Sequence, residues 1–286
     1  MHYPVLLAET LEHLAIRADG LYADATAGLG GHTGAIAGRL TGGGVIAADR
    51  DAESLERARE STAEYSDRIR FVHTRFSGLA AALASMGVEQ LDGLVADLGV
   101  SRMQLTTPER GFSFMAAGPV DMRMDRGEEG TAQDLVDFAS ERELADLLFQ
   151  LGDERRSRRI ARAIVRARPI RDTLHLADVV EKAVPRTGAL HPATQTFMAL
   201  RIAVNQEREE LEALLRDIPS IVKSGGRVVF LTFMSAEDRV VKQAFQALAR
   251  ERRAVLINKH VITPSEREVR ENPPSRSAKL RALEMR

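Results

Sequence analysis

Apolar residues along the chain fall into short continuous runs that alternate with longer amphipathic stretches. Three early runs each end on an aspartate: LYAD on Asp24, VIAAD on Asp49 and LVAD on Asp97. Short apolar runs between polar turns predict strands buried on both faces, the habit of a parallel sheet. The strands expected are Leu21 to Ala25, Val45 to Ala48, Arg70 to Val72 and Leu94 to Asp97. Helical patterns lie between them at Ala52 to Ser61 and Leu79 to Met86, after a first helix from about Ala8 to Leu14. From about Gln104 to Ala203 no strand pattern occurs, and amphipathic helices are predicted at Ala132 to Leu151, Asp153 to Arg168 and Leu174 to Ala183. Alternation returns with RVVFLTF (Arg227 to Phe233), a helix from Ala236 to Arg252, AVLINKHVI and the final AKLRALE, while Glu271 to Ser277 reads as an ordered connection. The expected fold is α/β, a Rossmann-like seven-stranded sheet with an inserted all-helical domain. The expected boundaries are 1–104 with 206–286 for the sheet domain and 105–205 for the insertion.

Ligands of open α/β sheets bind beyond the carboxyl ends of the strands, so the three aspartates mark the expected site. The stretch Asp24-Ala-Thr-Ala-Gly28-Leu-Gly30-Gly31-His32-Thr33 supplies a glycine turn there. A nicotinamide dinucleotide calls for Gly-x-Gly-x-x-Gly/Ala, but the third glycine position is Thr33, and Asp24 puts negative charge beside the expected pyrophosphate. S-adenosylmethionine fits better, because it has a positive sulfonium and no phosphate. Asp49, 19 residues after Gly30, suits the ribose hydroxyls of either cofactor and does not discriminate between them.

Composition narrows the classes without choosing among them. The 286 residues are 44% hydrophobic and 28% charged with a formal net charge of -1, so nothing global points to nucleic acid or acidic partners. There is no cysteine, which excludes disulfides and thiolate zinc sites; no metal is expected. The opening MHYPVLLAETLEHLAI lacks a basic region followed by an apolar run, and no window of about 18 apolar residues occurs. A soluble cytoplasmic protein without membrane partners is expected, with a homodimer left open.

Asp97 begins the loop Asp97-Leu-Gly-Val-Ser101-Arg102-Met-Gln104, where a carboxylate can accept the proton of an amine undergoing methylation or touch the cofactor. The alternative is a turn cap. Gly30 and Gly31 suit a strand-to-helix turn in any α/β protein, His32 suits a pocket wall or a cap, and Phe76 suits an adenine cover or the core. An arginine run follows in the insertion. Arg155, Arg159, Arg162 and Arg166 are expected on one helical face, suited to tracking RNA phosphates or to simple solvation. A second polar stripe holds Arg201, Asn205 and Arg208. Arg110-Gly-Phe112-Ser-Phe114 and Asp121-Met-Arg123-Met-Asp125 could stack and hold an unpaired base, though core packing serves the phenylalanines equally. Ser235-Ala-Glu237-Asp238-Arg239 opens a helix, where carboxylates belong in any case.

Together these stretches resemble the MraW (RsmH) family of S-adenosylmethionine-dependent methyltransferases. The resemblance runs through HYPVLLAE, DATAGLGGHT, AADRD, LVADLGVS, RGFSF, GPVDMRMD, GDERRSRRIARAIV, HPATQTF, ALRIAVNQE, EDRVVK and RSAKLR. It implies a class I methyltransferase that methylates the exocyclic N4 of a cytidine in the decoding region of 16S ribosomal RNA. It also implies cofactor contacts from Gly30, Gly31, His32, Asp49, Phe76, Asp97 and Gln104, with the insertion receiving RNA from the small ribosomal subunit. Arg110, Phe112, Arg123, Arg155, Arg159, Arg162, Arg166, Arg201, Asn205 and Arg239 are the expected RNA-side residues. Four positions depart from the family's usual residues: Arg102, Met198, Met234 and Pro274. Those departures keep two rivals open, a methyltransferase with an altered RNA target and a silent protein that binds S-adenosylmethionine and RNA.

Overall fold

The computed structural model describes residues 4–186, 188 and 190–286. His2 and Tyr3 of the opening motif lie outside them. The chain divides into two compact units, Met1–Gly99 with Glu209–Arg286, and Val100–Arg208.

The first unit carries the sheet. In chain order it contains α1 (Leu7–Leu14), β1 (Leu21–Asp24), α2 (Gly31–Ala37), β2 (Gly44–Asp49), α3 (Ala52–Ser61), β3 (Ile69–His73), α4 (Leu79–Ser85) and β4 (Leu91–Asp97). Each of β1, β2 and β4 is buried along nearly its whole length, as its apolar run requires. Asp51 caps α3 by accepting the N–H groups of Glu53 and Ser54.

The second unit holds α5 (Arg102–Thr106), α6 (Ala132–Phe138), α7 (Glu141–Gly152), α8 (Ser157–Ala167), α9 (Thr173–Ala183) and α10 (Thr194–Asn205). The single helix expected over Ala132 to Leu151 is two. Ser140 forms a reciprocal capping box with Glu143, so a new helix starts inside an unbroken apolar period. Leu144, Leu148, Ile160, Ile164, Leu176 and Leu200 pack in this unit's own core.

From α11 (Glu207–Ile221) the chain continues through β5 (Val222–Thr232), α12 (Ser235–Arg250), β6 (Ala254–Leu256), α13 (Glu266–Glu271) and β7 (Lys279–Met285). The seven strands lie in the order β3-β2-β1-β4-β5-β7-β6. Two apolar layers cover the sheet: one includes Leu79, Leu214, Ile218 and Phe245, the other Leu6, Leu14, Ile36 and Leu55. The sheet is mixed: the first four strands and β5 run parallel, and β7 runs antiparallel to both β5 and β6. The chain between β6 and β7 does not cross back along the sheet, so β7 starts at the edge where β6 ends. The strand expected over AVLINKHVI shrinks to three residues. Beyond it the Asn258 side chain replaces ladder bonds, donating to the Leu280 carbonyl and accepting from the Ala282 N–H.

Candidate functional site

Strand order places the topological switch at β1 and β4, with β1 pairing to β2 on one side and β4 on the other. Asp24, Asp49 and Asp97 end three of these parallel strands and so share the carboxyl edge. The three carboxylates differ in what holds them.

Asp24 is fully engaged. Its Oδ1 accepts from the Thr26 N–H at 3.1 Å and the Thr26 hydroxyl at 3.3 Å, and its Oδ2 accepts from the Thr33 hydroxyl at 2.7 Å. The threonine that breaks the dinucleotide pattern is thus the residue that holds Asp24. Thr26 Oγ1 also accepts the Asp97 N–H at 2.6 Å, tying the ends of β1 and β4 together. Sequence reading passed over Thr26; its only signal is a hydroxyl two residues after a strand-terminal aspartate.

Asp49 accepts the Gly28 N–H at 2.8 Å and the Asp51 N–H at 2.9 Å, one on each oxygen. Each oxygen retains lone-pair capacity for hydroxyl donors. Burial pushes its pKa up to about 6, against the two N–H bonds, which lower it, while Asp51 and Asp24 add repulsion.

Asp97 is the least satisfied. Its Oδ1 is buried with no hydrogen-bond partner among the described residues, although the side chain as a whole is 24% exposed. The His32 Nδ1 stands 3.7 Å from Oδ2, too far for a hydrogen bond. Burial raises the Asp97 pKa to about 6; the His32 ring lowers it, and the charges of Asp24 and Glu237 raise it. His32 is buried, with Nε2 at 3.2 Å from the Val5 carbonyl.

The glycines have packing reasons of their own. Gly30 has φ 87°, and a Cβ there would stand 2.6 Å from Ser61 Oγ and 2.9 Å from Thr62 Cγ2. A Cβ on Gly31 would strike Pro4 Cγ at 2.5 Å. Gly28, with φ 52°, faces open space apart from the Thr26 carbonyl at 3.7 Å, so its peptide is the part of the turn a ligand can approach. Phe76 starts a short 3-10 turn and packs half-buried against the core. No group of three or more His, Cys, Asp and Glu among the described residues is placed to hold a metal.

The profile of the MraW methylase family matches residues 1–286, the whole chain. The chain belongs to that family. The family members are S-adenosylmethionine-dependent methyltransferases, and an edge of buried carboxylates beside a glycine turn suits that cofactor's cation and hydroxyls. The chain is 62% identical over 286 residues to the ribosomal RNA small subunit methyltransferase H of Solibacter usitatus, with both chains covered completely. It is 48% identical to the protein of the same name from Koribacter versatilis, covering 98% of this chain and 93% of that one. A Clostridium thermocellum structure solved as a candidate rRNA methylase superposes with a TM-score of 0.51 at 9% identity, both chains covered completely, and shares the class I fold.

Gln104 lies in the second unit, where its side chain and Ser101 form the reciprocal capping box of α5. Several other residues of this unit that were expected to face RNA are internal. Arg110 is 1% exposed, and its Nη2 donates to the carbonyls of Arg123 at 3.1 Å and Met124 at 2.8 Å. Phe112 is buried in the unit's core. Asn205 is 1% exposed; its Oδ1 accepts the Met124 N–H, and its Nδ2 donates to the Met122 and Arg201 carbonyls. These three side chains close the 107–131 loop and present nothing to a nucleic acid. Arg123 is clamped by Asp121 and the Arg126 and Glu128 carbonyls, and Arg201 makes a two-pronged pair with Glu207 at 2.7 and 2.8 Å. The stripe of Arg201, Asn205 and Arg208 is broken, because Gln206 turns left-handed (φ 49°) between α10 and α11. Arg158, Arg159, Arg162 and Arg166 are exposed on α8 above the buried Ile160 and Ile164, while Arg155, also exposed, precedes the helix. Of these, Arg162 reaches Glu141 at 3.2 Å. Arg239 is exposed on α12 of the first unit.

Among the departures, Arg102 is exposed at the start of α5, and Met198 is half-buried on α10. Pro274 is exposed in the 3-10 turn that follows α13. Met234 is the N-cap of α12, with its own N–H held by the Glu237 carboxylate at 3.1 Å.

Proposed function

We propose that this chain methylates the exocyclic N4 of a cytidine in the decoding region of 16S ribosomal RNA, acting in the cytoplasm on the small ribosomal subunit. The observation that carries the reading is Asp97: a strand-terminal carboxylate with one buried, unpartnered oxygen, in a chain matched end to end by a methylase family. When bound, S-adenosylmethionine supplies an electrophilic methyl group on a sulfonium whose leaving group is neutral.

The protein's own residues have three tasks. Asp49 would hold the ribose hydroxyls, since its oxygens retain acceptor capacity after binding Gly28 and Asp51. The turn at Gly28 to His32 and the half-buried Phe76 would border the adenosine end, with Gly30 and Gly31 keeping the turn close to its neighbours. Asp97 would accept a hydrogen bond from the target amine. A methylated exocyclic nitrogen becomes acidic as it bonds carbon, so a carboxylate with a pKa of about 6, ionised at neutral pH, can take the departing proton. The exposed arginines of α8 would track phosphates, making residues 105–205 the RNA-receiving domain.

Labelled-methyl transfer to small subunits from a strain deleted for this gene, followed by nucleoside mass spectrometry, tests the reading. N4-methylated cytidine is expected with the intact protein and not with Asp97→Ala. Cofactor binding without any labelled nucleoside would overturn the enzymatic reading, and label on another nucleoside would overturn its target.

A further inference from the structure

At the β6 end of the sheet, α12 and the chain around β6 and β7 border a shallow notch open to solvent. Lys242, Lys259 and Arg281 line it, with Gln246 and Asn258 between them. The Arg281 guanidinium is fixed by a two-pronged pair with Asp238 at 2.6 and 3.0 Å. Lys242 and Lys259 are both exposed, and neither has a hydrogen bond or ion pair among the described residues. The loop carrying Lys259 is held in place by Asn258, whose amide bonds span His260, Leu280 and Ala282. Two exposed lysines without an ion-pair partner among the described residues therefore line one small notch.

Topology puts this notch on the working side of the sheet. β6 runs parallel to β5 and β4, because both β5 and β6 are antiparallel to β7. Asn258 and Lys259 thus follow β6 at the same carboxyl edge as Asp97, and Arg281 stands near the start of β7. With β5 and β7 intervening, the separation is three strand spacings, about 14 Å. That is on the order of four nucleotides of a stacked strand.

We infer that the notch binds phosphodiester groups of the RNA strand whose base enters the site at Asp97, giving the methyltransferase unit its own RNA contact separate from the arginines of α8. Lysine ammonium groups are point charges suited to phosphate, and the one aromatic ring in the notch, Phe245, is buried and offers no stacking face. The contact therefore reads backbone and not base. This inference rests on the RNA-methylation reading above.

The test compares the full-length chain with its Lys242→Glu/Lys259→Glu variant, titrating fluorescein-labelled single-stranded RNA across a salt series and measuring S-adenosylmethionine binding in parallel. Both lysines are exposed, and an unchanged cofactor affinity reports an intact fold. The inference expects RNA affinity at least tenfold weaker and a log-log salt slope shallower by about 1.4, at about 0.7 per phosphate released. RNA affinity and slope equal to wild type would overturn it and leave the notch to an acidic protein surface. A wild-type chain that binds the cofactor but no RNA would instead sink the RNA reading itself, and the notch with it.

Discussion

The carboxyl edge of the sheet and the loop at 107–131 both bury charge, and they treat it in opposite ways. In the loop, Asp121 and Arg123 are bound to each other, and the pairing drives the Asp121 carboxyl below its ordinary range and the Arg123 guanidinium above its own. Arg110 donates through Nη2 to two backbone carbonyls, and Asn205 donates to two carbonyls and accepts one N–H. At the sheet edge, Asp49 and Asp97 are pushed the other way, up to about 6, and Asp97 keeps an oxygen with no partner among the described residues. Buried polar groups that are satisfied hold a fold, whereas those left short cost stability until a ligand arrives.

The sharpest way to break this contrast is Asp97→Asn. If the unpartnered carboxylate serves the reaction, turnover falls by about 10²- to 10⁴-fold. Single-turnover methyl transfer would check it, and a loss under fivefold would put Asp97 with the structural group. Next comes Arg110→Met, which leaves the Arg123 and Met124 carbonyls without their donor. An unfolding cost of about 3–4 kcal/mol is expected in urea titration; a cost below about 1 kcal/mol would mean the loop does not depend on it.

The same Asp97→Asn chain, unliganded, should move in the opposite direction in stability. The folded pKa lies above the ordinary 3.8, so the folded state binds the proton more tightly. Stability from this group is therefore full below about pH 4 and is lost as pH rises through about 6. Removing the charge should raise unfolding free energy at pH 7 by about 1–3 kcal/mol, with the gain vanishing near pH 4. A mutant less stable than wild type at pH 7 would show that the carboxylate holds the fold after all. The smallest effect is on the cofactor. S-adenosylmethionine affinity should weaken below about pH 6 by up to tenfold per pH unit for each aspartate it needs ionised, measurable by calorimetry from pH 5 to 8; a flat profile would remove Asp49 and Asp97 from the contact set.

Much of this was legible along the chain. Apolar runs ending on Asp24, Asp49 and Asp97 locate strands and edge together, because a strand buried on both faces must be apolar throughout and a charge can appear only where it ends. Helix α3 is marked by its helical pattern at Ala52 to Ser61, and the insertion by the absence of strand period. The break between α6 and α7 was not legible, since a capping box inside a continuous apolar period looks like two more polar surface positions.

What the residues by themselves determined is the α/β order, the glycine turn, the acidic edge and the helical interruption, all set by local period and by which groups cannot enter a core. Only the tertiary structure decided which charges are spent. Arg110 and Arg159 are alike in the sequence, yet one is enclosed by carbonyls from the far side of its loop and the other stands in solvent on α8. That distinction depends on partners 13 and 14 residues away for Arg110 and 81 and 83 away for Asn205. The reversal of β7 and the pairing of Thr33 with Asp24 were decided in the same way, by what the folded chain brings within bonding distance and local pattern cannot encode.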